Sequence, residues 1–267
     1  MQLMKIGFIG CGNMAGAIIK GLIENNIFLP EEIIASDRNI NALEEAKSKY
    51  GINITTNNNE LVLKSQMILL AVKPQVLSAV AAEINDTISE NKIIISIVAG
   101  QSISRIESMF DGKIKLIRTM PNTPALCGEG MTAVCAGSYV NEYELEYAMK
   151  ILSGFGKAEV VSESVMDAVV AVSGSAPAYV ALFIEAMADA AVSEGMTRVQ
   201  AYRFAEQTVY GTAKLLMDTG MHPGELKDMV CSPAGTTIEA VRVLEEKGMR
   251  SAVIEAMKAC AEVSRKL

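Results

Sequence analysis

The sequence predicts an α/β fold: a doubly wound parallel sheet in the N-terminal part, followed by an all-α part. Three observations carry this. Short apolar runs alternate with helical periods from Lys5 to Met120, the rhythm of strands covered by helices on both faces. The first run breaks at Gly10-x-Gly12-x-x-Ala15 and resumes with helical spacing through Ile18, Ile19 and Leu22. Beyond Ser162 the strand pattern stops, and the chain reads as helix to its end, with breaks at Ser173–Pro177, Gly195, Gly220–Pro223, Ser232–Gly235 and Gly248. These readings divide the 267 residues into 1–162 and 163–267.

The glycine-rich break makes the sheet Rossmann-type. Gly10 permits the tight turn, Gly12 lets the backbone approach a pyrophosphate, and Ala15 lets the new helix pack close to the strand. The first amides of that helix lack intrahelical partners and carry the positive end of its dipole, so a phosphate is welcome there. A second strand over Glu32–Ser36 ends in Asp37-Arg38-Asn39. An acidic residue at this place holds the 2′-hydroxyl of NAD, whereas an Arg accommodates the 2′-phosphate of NADP. Both are present, and the choice stays open with a slight lean to NADP(H) over NAD(H). Ile40–Tyr50 reads as an amphipathic helix and Gly51–Thr55 as a third strand, and Asn57–Asn59 suits a helix start. The fourth strand, Met67–Val72, is continuously apolar, as a strand covered on both faces must be, and ends at Lys73-Pro74. Lys92–Val98 and Lys115–Met120 give a fifth and a sixth. Met131–Cys135 and Ala158–Val161 add two more, flanking a helix over Asn141–Leu152.

Charge and cysteine usage exclude several classes. The chain carries 24 basic and 31 acidic residues with no basic cluster, which argues against nucleic acid or an anionic membrane as partner. Its five cysteines are odd in number, without a CxxC or a nearby His, and read as reduced thiols of a cytoplasmic protein that holds no metal. Val165–Ile184 is apolar enough to mimic a membrane span, but Ser173–Pro177 interrupts it. It reads as a helix buried on nearly all sides, which in a soluble chain suggests a subunit interface in the all-α part.

The chemistry-bearing inventory is sparse. His222, the single His, precedes Pro223-Gly224 in an interhelical turn, so no Ser-His-Asp set and no His–carboxylate pair is available for oxidising an alcohol. Lys73 closes a strand at the edge that faces a coenzyme crevice, where it either takes part in catalysis or lies over the coenzyme. In Ser232-Pro233-Ala234-Gly235-Thr236-Thr237, Ser232 reads as the N-cap and Pro233 as the first helical residue. The bared amides and two hydroxyls beyond them make a seat for a carboxylate. Hydride delivery to an already basic acceptor nitrogen, as in reducing an imine, fits such a set.

Four stretches, Ala71-Val72-Lys73-Pro74, Arg118-x-Met120-Pro121-Asn122-Thr123-Pro124, Ser173-Gly174-Ser175-x-Pro177-Ala178-Tyr179 and Ser232-Pro233-x-Gly235-Thr236-Thr237-Ile238, together resemble pyrroline-5-carboxylate reductases in order and spacing over essentially the whole chain. The resemblance implies NAD(P)H-dependent reduction of 1-pyrroline-5-carboxylate to L-proline, the last step of proline synthesis, by subunits that interlock as dimers through the all-α dimerisation domain and assemble into decamers. Carried over by position, Gly10, Cys11, Gly12, Asn13 and Met14 would bind the pyrophosphate. Ser36, Arg38 and Asn58 would lie near the adenosine ribose. Ala71, Val72, Lys73 and Pro74 would line the nicotinamide side, with Ala99, Met120, Pro121 and Asn122. The substrate carboxylate would sit on Gly235, Thr236 and Thr237, with help from Ser175 and Lys227, and Thr237 and Lys73 are the candidate catalytic residues. Ala176 and Ala234 stand where the family commonly has Gly, both at positions expected to be helical, where Ala is favoured. Two rivals remain. A β-hydroxyacid dehydrogenase would need a catalytic Lys on a helix of the second part, and Lys214 and Lys227 lack that motif context. A non-catalytic dinucleotide-binding regulator would bind the coenzyme without consuming it.

Overall fold

The computed structural model of the protein describes residues 4–266. The chain enters through β1 (Met4–Ile9), α1 (Asn13–Glu24), β2 (Ile33–Ser36), α2 (Ile40–Tyr50), β3 (Asn53–Thr55), α3 (Asn58–Lys64), β4 (Ser65–Leu70) and α4 (Pro74–Ile84). It continues through β5 (Ile93–Ser96), α5 (Ile103–Glu107), β6 (Lys115–Met120), β7 (Gly130–Ala136), α6 (Glu142–Leu152) and β8 (Gly156–Val160). Local chemistry explains the helix starts. The Asn39 side chain accepts from the amides of Asn41 and Ala42, Asn57 from Glu60, and Asn141 exchanges bonds with Glu144 in a capping box.

The strands form one eight-stranded sheet in the order β3-β2-β1-β4-β5-β6-β7-β8. The first six strands are parallel, as the sequence predicts. β7 instead runs antiparallel to β6, with β8 parallel to β7, so the doubly wound sheet closes as a mixed one. Strands that alternate in side-chain direction feed two cores. Ile6 and Phe8 pack with α1, α2 and α6 on one face, while Ile9 packs with α3, α4 and α5 on the other. Because strand order reverses between β1 and β4, the ends of these two strands open a crevice at the topological switch point.

The remainder is helical: α7 (Met166–Val169), α8 (Ala176–Ser193), α9 (Arg198–Thr219), α10 (Pro223–Val230), α11 (Thr236–Glu246) and α12 (Met249–Ser264). A five-residue π-helical turn, Val170–Gly174, lies between α7 and α8. Two compact units result. One runs through Gly174 and takes in the chain from Cys260 onward, and the other is Ser175–Ala259. The change of pattern near Ser162 thus precedes the packing boundary. Met166 is buried in the core of the first unit, and the Ser264 hydroxyl donates to Asp167 Oδ1 at 2.7 Å, which ties the end of α12 to the same unit.

The second unit has almost no core of its own. Among the described residues, its buried apolar side chains are Ala188, Ala201, Ala205 and Leu226. By length and composition the helical stretch Glu163–Ser193 could cross a membrane, with mean hydropathy 1.6, yet only 6% of its most apolar 18-residue window is buried in the chain. The expectation of a helix buried on nearly all sides therefore fails for the single chain. Leu182 and Phe204 are 68% and 67% exposed, the kind of apolar surface that marks an interaction site.

Candidate active site

Two adjoining cavities of the first unit occupy the switch-point crevice, sharing Gly12, Ala71, Val72 and Lys73. The first, about 390 Å³, lies toward Ser36, Asp37, Arg38, Asn58 and Glu83. The second, about 710 Å³, is lined by Asn13, Met14, Pro74, Ala99, Met120, Pro121 and Asn122, among others. Both volumes lie in the range of small-molecule sites.

Gly10 makes the turn that separates β1 from α1. Its φ is +99°, and a Cβ there would stand 2.5 Å from the Ala71 carbonyl oxygen. The turn is bonded on both sides: the Gly10 amide donates to Ser36 O and the Ala71 amide to Ile9 O, each at 2.8 Å. Gly12, the N-cap of α1, differs. A Cβ there would meet nothing within 4 Å, and no side chain caps the helix, so the amides of its first turn border the cavities with room for an anion. These residues fit a dinucleotide phosphate. Cys11 behaves otherwise, since its amide donates to Asp37 Oδ2 at 2.8 Å. Its buried side chain packs into the core, and burial, then the Asp37 and Glu45 carboxylates, push the thiol up to about 11.

At the end of β2, Asp37 Oδ1 accepts from the Asn39 amide at 2.8 Å, and Arg38 is exposed beside it. The buried Ser36 hydroxyl donates to Asn58 Oδ1 at 2.7 Å, and Asn58 Nδ2 donates to Glu83 at 2.9 Å, which orients the Asn58 amide. Glu83 is a lining residue that sequence reasoning missed, since it sits in the last turn of α4, away from any motif. Lys73 is the exposed N-cap of α4, with Pro74 at the first helical position, where a missing amide costs nothing.

The stretch after β6 is held by its own side chains. Asn122 donates to Ser173 O and Oγ at 3.3 and 3.1 Å and accepts from the Met131 amide at 2.8 Å. Arg118 pairs with Glu163 at 2.8 Å, and Glu163 also accepts from the Ile103 amide that begins α5. Asn122, which lines the second cavity, is thus fixed by its bonds to Ser173 and Met131, while Arg118 ties β6 through Glu163 to the start of α5.

In the second unit, α11 begins at Thr236 with Gly235 as its N-cap, and no side chain satisfies its first amides. Neither Ser232 nor Pro233 takes the helical role expected of it, because the Gly235 amide donates back to Ser232 O at 3.0 Å and closes a turn before the helix. That turn puts Ala234 at φ +56°, so the expectation of a helical Ala234 is overturned, while Ala176 does open α8. Thr236 is exposed and Thr237 half-buried. Ser175 is the N-cap of α8. Lys227 pairs with Asp228 at 2.7 Å, and it lines an apolar cavity with Leu244, Met249 and Val253 that includes no residue of Ser232–Thr237. His222 caps α10, its Nδ1 accepting from the Gly224 amide at 3.1 Å.

Comparison with known proteins agrees with this architecture. Residues 163–267 match the family described as pyrroline-5-carboxylate reductase dimerisation, and residues 5–100 match the coenzyme F420-dependent NADP oxidoreductase family. The pyrroline-5-carboxylate reductase of Escherichia coli (strain K12) is 49% identical over 263 residues, covering 98% of both chains. That of Methanosarcina acetivorans is 45% identical over 267 residues, 100% of this chain and 99% of the relative. Among solved structures, the Plasmodium falciparum pyrroline carboxylate reductase with NADP bound superposes with a TM-score of 0.90 at 32% identity, covering 100% of this chain and 98% of that one. A Coxiella burnetii pyrroline-5-carboxylate reductase gives 0.92 at 34% identity, covering 98% of each. With sequence and fold agreeing from end to end, this chain belongs to the pyrroline-5-carboxylate reductase family.

Proposed function

We propose that this chain is an NAD(P)H-dependent imine oxidoreductase that reduces the C=N bond of 1-pyrroline-5-carboxylate to L-proline, the last step of proline synthesis. The observation that carries the reading is the 49% identity with a reductase over 98% of both chains, which leaves neither unit outside the likeness. NADP(H) is the favoured coenzyme and NAD(H) the alternative, supported by the NADP-bound relative and by the exposed Arg38 in the first cavity.

In this reading, a reduced nicotinamide, when bound, supplies the hydride. The chain's own residues position and exclude water. The uncapped first turn of α1, from Gly12 through Asn13 and Met14, takes the pyrophosphate, and Gly10 and Cys11 shape the turn that presents it. Ser36, Arg38 and Asn58 take the adenosine ribose. Ala71, Val72, Lys73 and Pro74, with Ala99, Pro121 and Asn122, form the wall for the nicotinamide. The amides and hydroxyls of Gly235, Thr236 and Thr237, with Ser175, take the substrate carboxylate, and Thr237 is the side chain set to bond the ring nitrogen or the carboxylate. Lys227, just upstream of that seat and paired with Asp228 at 2.7 Å, is the further cation proposed to help hold the carboxylate. Alignment of this kind is worth roughly 7–11 kcal/mol, enough for a reaction whose acceptor nitrogen is already basic.

The exposed apolar helices support self-association through the second unit, and a dimer that assembles further into a decamer is the form we propose. The match of residues 163–267 to the reductase dimerisation family supports reading Glu163–Ser193 as interface and not as a membrane span. Five free cysteines, without a disulfide among the described residues, support a cytoplasmic location. The test follows NADPH and NADH absorbance in the presence of 1-pyrroline-5-carboxylate, with L-proline measured as product. Consumption with stoichiometric proline supports the proposal, and coenzyme binding without consumption would return the chain to a regulatory role.

A further inference from the structure

Asp37, at the end of β2 in the lining of the first cavity, bonds the protein through both oxygens of its carboxylate. Asp37 Oδ2 accepts from the Cys11 amide and Oδ1 from the Asn39 amide, each at 2.8 Å, so its two oxygens span the turn after β1 and the start of α2. A third bond, Gly10 N–H to Ser36 O at 2.8 Å, continues the same seam. Its apolar half is Cys11, 8% exposed and packed in one core with Leu43 and Ala46 of α2. The far anchor is itself rigid, because the Asn39 side chain caps α2. We propose that Asp37 is a positioning residue, a latch that holds the glycine-rich turn against the β2–α2 corner, and that coenzyme choice rests on Arg38 without it.

The reasoning is electrostatic and geometric. An acidic residue that selects NADH must turn its oxygens outward to the ribose hydroxyls. Here each oxygen already takes a charge-assisted bond from a backbone amide, and these two bonds set the plane of the carboxylate. The negative charge is thereby bound to the turn it supports, while the neighbouring Arg38 guanidinium in the same cavity is exposed. Losing the latch frees the turn that presents the first amides of α1, and both coenzymes carry the pyrophosphate those amides serve. Removal should therefore weaken both alike.

The inference rests on the coenzyme reading above, and the experiment separates the two. Dissociation constants for NADPH and NADH are titrated by coenzyme fluorescence in the full-length protein, its D37A and D37N variants, and R38A as a reference. D37A is expected to weaken both coenzymes by about tenfold while their ratio stays within about twofold, with the loss in Kd and KM and not in kcat. D37N keeps one acceptor oxygen and should fall between wild type and D37A, and it carries the same ratio readout if D37A fails to fold. R38A should lower the NADPH:NADH preference. A loss confined to NADH would make Asp37 a ribose ligand, a gain confined to NADPH would make it a repulsive selector, and unchanged constants would leave it no role. Each of these overturns the latch while wild-type binding stands. Only a wild type that binds neither coenzyme would remove the underlying reading, and the latch with it.

Discussion

Adding one methyl at each glycine of the β1–α1 turn separates what the fold needs from what the ligand needs. At Gly10, alanine meets two penalties. The backbone sits at φ +99°, and the new Cβ would lie 2.5 Å from the Ala71 carbonyl oxygen and 2.8 Å from its carbon. Ala71 cannot withdraw freely, because its amide bonds Ile9 O at the end of the β1–β4 pairing. Strain and overpacking together should cost about 2–5 kcal/mol. At Gly12 the backbone has φ −83° and ψ −172°, open to any residue, and no atom lies within 4 Å of an added Cβ. Gly12→Ala should therefore cost about 1 kcal/mol or less in stability, the N-cap preference of Gly over Ala. Its methyl instead enters the space where the phosphate approaches the amides, and NADPH affinity should fall by more than about tenfold, the worth of one hydrogen bond to a charged group. Urea unfolding measures the first effect, at one protein concentration because self-association shifts apparent stability. Coenzyme fluorescence titration measures the second. A Gly12→Ala protein with the wild-type Kd would refute the phosphate seat at α1, and a Gly10→Ala protein as stable as wild type would refute the steric argument.

Four further outcomes are expected. Thr237→Ala should raise KM for the imine strongly and lower kcat, while His222→Ala should keep turnover and cost about 1 kcal/mol of stability through its lost cap; steady-state kinetics with denaturant melts check both, and loss of turnover in a folded His222 variant would contradict the aligned-hydride reading. Ala234→Gly should stabilise the protein by about 1 kcal/mol, since it removes a Cβ from a left-handed residue, and thermal melts of the paired proteins measure it. Leu182→Glu with Phe204→Glu should yield monomers by light scattering, because each exposed apolar side chain is worth about 1.5–3 kcal/mol when a partner covers it.

What the chain discloses residue by residue is its local chemistry. The Gly10–Ala15 turn, the helix start at Asn57, the strand Lys115–Met120 and the Lys73-Pro74 start of α4 are all legible, because each depends on neighbours a few positions away. The four motifs made the family legible for the same reason, as short patterns that survive in order. Direction and long-range contact were not. Residues 130–136 read as a strand, but only pairing with β6 makes that strand antiparallel. Ser232-Pro233 carries a helix-start pattern, yet the turn closed by Gly235 moves the start to Thr236 and leaves Ala234 left-handed. Asp37 and Arg38 are indistinguishable as neighbours in the sequence, and the tertiary fold separates them by bringing the Cys11 amide to the carboxylate. The apolar stretch around α8 predicts burial but not by what, since hydrophobic pattern records that a face must leave water and leaves the covering surface to tertiary and quaternary contact.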